Sequence, residues 1–317
     1  MKKYYRHIII GIIFCFILMF GFNIIYKQKA VSTISGLQDL PDVNFIIKAE
    51  KIFLNERETE IYSHLKNSSR QTIINDFINY KILYRSGDYE VIGMISAPAD
   101  YMYKKYPVLI HNRGGHDEFG KENFGIVQAF ASYGFIVLAS NYRGADGGTG
   151  KDMYGGDDVE DVKKMVDLAE SLSFGNGKIY MHGWSRGGIM TYCALRGGDT
   201  RINAAVIFAA PSNLLSLYES SELKLKKVLV SSIGGNPGYL PDEYKKRSVL
   251  FWADEIYTPL MIIHGELDDK TNVEQSYEIY DKMKNLGKDV ELKILHDDGH
   301  DISSNIVNTI AEWLLLK

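Results

Sequence analysis

Hydrophobic positions along the chain fall into two regimes. Residues 8–25 (IIIGIIFCFILMFGFNII) form an unbroken apolar run with no charge and one strongly polar side chain, Asn23. A helix of that length, rising about 1.5 Å per residue, covers most of a ~30 Å hydrocarbon core, and Tyr26 adds an interfacial aromatic. A cleavable signal peptide would have a shorter apolar stretch of about 7–15 residues closed by a small-residue cleavage site. The Lys27-Gln28-Lys29 that follows makes no such site. Residues 1–26 are therefore expected to be an uncleaved membrane anchor that meets lipid through 8–25. Lys2, Lys3 and Arg6 precede the run and Lys27 and Lys29 follow it. That imbalance places the N-terminus inside and the body outside, at the cell membrane.

The second regime begins after a polar linker at 31–42 that carries Gly36 and Pro41. Residues 56–80 mix charges with Ile61, Leu65, Ile73, Ile74, Phe77 and Ile78, which predicts one or two amphipathic helices. Residues 27–80 thus read as a linker and helical juxtamembrane arm. From residue 81 the period alternates. A hairpin is predicted over 81–85 and 89–95 around Ser86-Gly87-Asp88. Short apolar strands at 107–111, 135–140, 178–182, 204–208, 260–264 and 290–295 then interleave with helical patterns at 123–133, 157–171, 185–196, 273–286 and 302–316. Such alternation predicts an α/β domain over 81–317, with a mostly parallel sheet and helices on both faces. Residues 213–255 break the rhythm and are helix-like, as expected of a cap-like insertion over the sheet edge.

Chemistry concentrates at three predicted strand ends. Gly183-Trp184-Ser185-Arg186-Gly187 follows one apolar strand and runs straight into a helix pattern. A serine on so sharp a strand-to-helix turn needs glycines two residues away on either side, and the turn lifts its hydroxyl to the carboxyl end of the sheet. A hydroxyl becomes nucleophilic only when a base takes its proton, and that base needs an orienting carboxylate. In this topology the order is serine, acid, histidine. His300 follows the last strand and is the expected base. The acid is Asp268 or its neighbour Asp269, both just beyond the strand ending at His264, and spacing does not separate them. His296 is the lesser candidate, as a structural residue. The oxyanion of the reaction requires backbone N–H donors. Arg186 supplies one, and the loop Asn112-Arg113-Gly114-Gly115-His116 supplies the other. Arg113 either contacts a substrate carboxylate or phosphate or forms a structural salt bridge, and Trp184 borders the substrate beside the nucleophile.

Composition narrows the alternatives. The 36 Lys+Arg against 40 Asp+Glu give a net charge of −4, which offers no bulk attraction for nucleic acid. Two cysteines, Cys15 and Cys193, exclude a disulfide framework and a cysteine-built zinc site. Asp157-Asp158 and Asp297-Asp298 read as helix capping and loop solvation rather than metal ligands, and no cofactor is implied.

Taken together, these residues resemble the catalytic domain of the prolyl oligopeptidase family of α/β-hydrolase serine peptidases. The likeness runs from about residue 81 onward. It is carried by Asn141-Tyr-Arg-Gly-Ala, Gly155-Gly-Asp-Asp-Val-Glu-Asp161, Gly183-Trp-Ser-Arg-Gly-Gly188, Ala209-Ala-Pro211, His264-Gly-Glu-Leu-Asp-Asp269 with Val273-Glu-Gln-Ser276, and Gly299-His300. The resemblance implies Ser185 as nucleophile, Asp268 as acid and His300 as base, acting on a peptide. Family peptidases usually carry a β-propeller ahead of this domain, where here about 80 residues precede it. A carboxylesterase or deacylase on small acyl substrates is therefore the second expectation, and a catalytically silent binding module the third.

Overall fold

The protein is described by a computed structural model that covers residues 43–66, 76–116 and 120–317. The expected membrane anchor at 8–25, the linker at 31–42 and part of the helical arm lie outside these residues. Among the described residues no helix is long and apolar enough to cross a membrane.

Six strands run parallel: β4 (Tyr106–Asn112), β5 (Ile136–Ser140), β6 (Gly175–Trp184), β7 (Ile202–Phe208), β8 (Leu260–Gly265) and β9 (Val290–Leu295). An antiparallel group is attached at one side: β1 (Ile46–Ile52), β2 (Phe77–Ser86) and β3 (Tyr89–Pro98). The sheet order is β1-β2-β3-β5-β4-β6-β7-β8-β9. β2 and β3 join as a hairpin through Gly87 and Asp88, with Ser86 opposite Tyr89 and Gly87 at φ 59°. That positive φ matches a two-residue turn that follows the twist of the strands.

Two findings differ from the sequence expectation. β1 was not foreseen: it is an edge strand whose only buried side chain is Ala49, so its apolar signal is faint. The helical pattern of 56–80 holds for α1 (Glu56–Leu65), which Asn55 and Glu58 close with a reciprocal capping box. Phe77 and Ile78 instead open β2.

Helices cover both faces of the parallel strands. On one face α2 (Phe124–Ala131) and α9 (Ser304–Leu315) pack through Phe130, Ile306, Ile310 and Leu314 onto Leu109, Val137, Val206 and Ile263, with Tyr62 and Leu65 of α1 beside them. The alternate residues Ile110, Leu138, Met181 and Ile207 are equally buried. Because successive side chains point to opposite faces, the second face is also dry. There α3 (Val159–Ser171) and α4 (Arg186–Leu195) bury Val162, Met165 and Ile189. Between β7 and β8 the chain is helical: α5 (Leu214–Ser220), α6 (Leu223–Ile233) and α7 (Pro241–Lys246), then two 3-10 turns at Val249–Phe251 and Ala253–Glu255. Leu214, Leu217, Leu229, Ile233 and Tyr244 of this segment cluster with Ile189 of α4 and with Tyr154. The last elements are α8 (Glu274–Asn285) and α9. With six strands pointing the same way, all their carboxyl ends open on one edge, and that edge carries the chemistry.

Candidate active site

β6 ends at Trp184 and α4 starts at Arg186, so Ser185 alone makes the turn, at φ 56° and ψ −125°. For a non-glycine residue this backbone is strained and persists only where its surroundings enforce it. Two bonds do so here: Ser185 N–H donates to the Phe208 carbonyl at 2.8 Å, and Gly188 N–H donates to the Ser185 carbonyl at 2.9 Å. The flanking glycines are steric necessities. A Cβ on Gly187 would overlap the Asn112 carbonyl at the end of β4, and one on Gly183 would overlap the Gly187 carbonyl and the Thr191 hydroxyl.

Three side chains meet at this turn. His300 Nε2 lies 2.9 Å from Ser185 Oγ, and His300 Nδ1 lies 2.8 Å from Asp268 Oδ2. The loop carrying His300 can approach β8 because position 265 is glycine: a Cβ there would overlap the carbonyls of Asp298 and Gly299. Asp268 has a wholly buried side chain. Its Oδ1 accepts the backbone N–H groups of Lys270 and Thr271, both at 2.8 Å, and its Oδ2 also receives His264 Nε2 at 3.1 Å. Burial pushes the Asp268 pKa up, but the bonds from His264, His300 and the Thr271 N–H outweigh it and hold the carboxyl well below the usual range. Asp269, the alternative acid, is 74% exposed and pairs with Lys270 at 2.9 Å. The carboxylate at this site is therefore that of Asp268. His296 stands apart, exposed and paired with Glu266 at 2.6 Å.

The remaining predicted residues surround the serine in other ways. Gly114 faces it directly, since a Cβ there would stand 3.3 Å from both Ser185 Cβ and the Trp184 carbonyl oxygen. Arg113 is buried, not at the surface where a substrate contact or a simple salt bridge was expected. Its guanidinium donates to the Asn141 carbonyl through Nε at 3.2 Å and NH2 at 2.5 Å, and through NH1 to the Gly114 carbonyl at 3.0 Å. It therefore shapes the loop rather than presenting charge. The Arg186 side chain points away from the serine, into a buried cluster. NH1 bonds Asp152 at 2.5 Å and NH2 bonds Asp158 at 2.9 Å, with the rings of Tyr142 and Tyr154 at 4.6 and 5.1 Å from the guanidinium carbon. Burial alone would lower the Arg186 pKa, and the two carboxylates more than reverse it, so the group is charged. Asp158 was expected to cap a helix. It precedes α3 without a side-chain capping bond and serves this cluster instead. Trp184 was expected at the substrate, and its indole N–H is engaged by the His300 carbonyl at 2.8 Å.

Residues 122–315 match the model of the prolyl oligopeptidase family. The uncharacterized peptidase YtmA of Bacillus subtilis is 30% identical over 240 residues, 74% of this chain and 92% of that protein. The chain belongs to the prolyl oligopeptidase family. It is a serine hydrolase, related to proteins named as peptidases. Dipeptidyl-peptidase 5 of Porphyromonas gingivalis is 26% identical over 66% of this chain, which spans 33% of that larger relative. The acylaminoacyl peptidase of Pyrococcus horikoshii has the same fold, with a TM-score of 0.63 at 24% identity over 77% of this chain and 41% of the other.

Three participants escaped the sequence reading. His264 is a strand end and the first residue of the His264–Asp269 block in the sequence, but nothing there assigns it a contact with the acid four residues on. Asp152 and Asp158 carry no sequence signal linking them to Arg186, because a helix and a strand separate them from it. The bond from Trp184 to His300 joins residues 116 apart and has no local signature.

Proposed function

We propose that this prolyl oligopeptidase family member is a peptidase that works through an acyl-serine intermediate, with Ser185 as nucleophile, His300 as general base and acid, and Asp268 as the orienting carboxylate. The observation that carries the reading is the continuous run from Ser185 Oγ through His300 to Asp268 Oδ2, at 2.9 and 2.8 Å. As Ser185 Oγ attacks the scissile carbonyl carbon, its proton passes to His300 Nε2. Asp268 keeps the other ring proton on Nδ1 and stabilises the imidazolium without taking a proton itself. The oxyanion is received by backbone N–H groups of Arg186 and the Gly114 region. His300 then protonates the leaving amine as the C–N bond breaks. Water attacks the acyl group next, giving a proton to His300, which returns it to Ser185.

Peptide substrates are favoured over simple esters by the peptidase names of the relatives. The apolar run at 8–25 supports a body tethered to the cell membrane and facing outward.

Labelling of the full-length chain in detergent by a fluorophosphonate tests the chemistry. Adduct on Ser185, absent in Ser185→Ala and His300→Ala variants that remain folded, is the expected result. A folded parent that stays unlabelled beside a reactive control hydrolase would overturn it. Comparing an aminoacyl anilide with a short acyl nitrophenyl ester then tests the peptidase assignment.

A further inference from the structure

The acid of the triad is shared. Asp268 Oδ2 receives the His300 Nδ1–H at 2.8 Å, and His264 Nε2 approaches the same oxygen to 3.1 Å. His264 Nε2 also stands 3.0 Å from the Thr271 carbonyl. Both neighbours of that nitrogen are acceptors, so it carries the proton. The other ring nitrogen, Nδ1, lies 2.6 Å from Ser276 Oγ, a hydrogen-bonding partner on the far side of the ring. With acceptors at Nε2 and the Ser276 hydroxyl at Nδ1, the ring orientation is fixed at both nitrogens. The imidazole is fully buried, at the end of β8, and has no access to substrate. Thr271 closes the ring of contacts, because its own N–H donates to Asp268 Oδ1 while its carbonyl faces His264.

We propose that His264 is a positioning residue for the catalytic acid, splitting the charge of Asp268 Oδ2 with His300 and so setting how basic His300 is. The inference rests on the reading of Ser185, His300 and Asp268 as a working triad. Without the His264 N–H, the full charge of Oδ2 falls on His300, which favours its imidazolium and raises the pH at which it becomes a competent base. Other charged groups nearby are Asp298 and Asp301 on the His300 loop, the Asp269–Lys270 and Glu266–His296 pairs, and Glu222 ahead of α6. All of them stay in place when residue 264 is changed.

The test compares His264→Leu, which removes the donor, with His264→Gln, whose side-chain amide can restore an N–H near the Nε2 position. The readouts are the pH dependence of kcat/KM and the split between kcat and KM, in the full-length chain. His264→Leu is expected to lower kcat roughly 10-fold with KM nearly unchanged, as for loss of one hydrogen bond to a charged group. Its acid limb should move to higher pH, and His264→Gln should bring the limb back toward the parent. Superimposable limbs in parent and His264→Leu, or a His264→Gln variant that behaves like His264→Leu, would overturn the proposal. Should neither variant fold, Ser276→Ala decides: an upward displacement in the same direction supports the role, and an unmoved limb sinks it. Fluorophosphonate labelling of the parent at Ser185 separates the two readings, since an unlabelled parent refutes the triad whatever residue 264 does.

Discussion

Trp184 donates its indole N–H to the backbone carbonyl of His300 at 2.8 Å, so the residue before the nucleophile holds the loop that carries the base. The two rings lie 6.2 Å apart and tilted, and add packing to the bond. Nucleophile and base are thereby registered to one another by a contact outside the proton path. Trp184→Phe keeps the ring and deletes the donor. A neutral hydrogen bond is worth about 1 kcal/mol, so kcat/KM should fall roughly fivefold while the folded state survives. Steady-state kinetics beside thermal melting check this; an unchanged kcat/KM would mean that the loop is held by other contacts.

Arg186 has a side chain and a backbone N–H with separate duties. The guanidinium neutralises Asp152 and Asp158 in a site closed to water. Arg186→Met leaves two buried carboxylates without their cation, and breaking a buried pair on one side costs about 3–5 kcal/mol. Urea denaturation should register a loss of that order. Adding Asp152→Asn and Asp158→Asn to Arg186→Met should recover part of it, because the uncompensated charge is then gone. A triple variant no more stable than the single one would contradict this account.

Glycine tolerance should differ sharply between the elbow and the hairpin. At Gly187 a methyl group meets the Asn112 carbonyl, which is strand backbone and cannot swing aside. Gly187→Ala should lose several kcal/mol, on the scale of overpacking of about 1–3 kcal/mol or more, or fail to fold. Gly87 has a left-handed φ of 59° and open space around its Cβ position. A side chain there meets no atoms but is strained by the backbone, so Gly87→Asn should cost about 1–2 kcal/mol and leave the protein folded. Melting temperatures of the two variants against the parent give the comparison.

Local pattern carried the parallel strands, the elbow and the loops bearing Asp268 and His300, because each has a short-range cause: an apolar run, a glycine at a turn, a polar residue just past a strand. Asp268 and Asp269 could not be separated by spacing, since both sit in the same loop. Burial separates them, and burial is a property of the assembled edge. Arg113 and Arg186 show the same limit. As charged residues beside a nucleophile they invite a substrate role, yet both guanidinium groups are enclosed, their partners (Asn141, Asp152 and Asp158) brought in by other loops. β1 was missed for the opposite reason, its sequence being too polar to announce a strand that borrows its pairing from β2.

The hydrogen bonds that hold Asp268 also fix how its contribution to stability depends on pH. Its folded-state pKa lies below the unfolded value of about 3.9, so the bonds to the carboxylate stabilise the fold in full at neutral pH. That contribution fades only as pH falls below about 4 toward the folded value, where the unfolded chain binds the proton more readily. Asp268→Asn removes the charge at every pH. The stability gap between parent and Asp268→Asn, measured by urea denaturation, should therefore be narrower at pH 3 than at pH 8, where every histidine bonded to the carboxylate is neutral in the unfolded chain. A gap that widens on acidification would require a carboxyl whose pKa is raised in the folded state, contrary to the donors that surround it: the Lys270 and Thr271 N–H groups, His264 and His300.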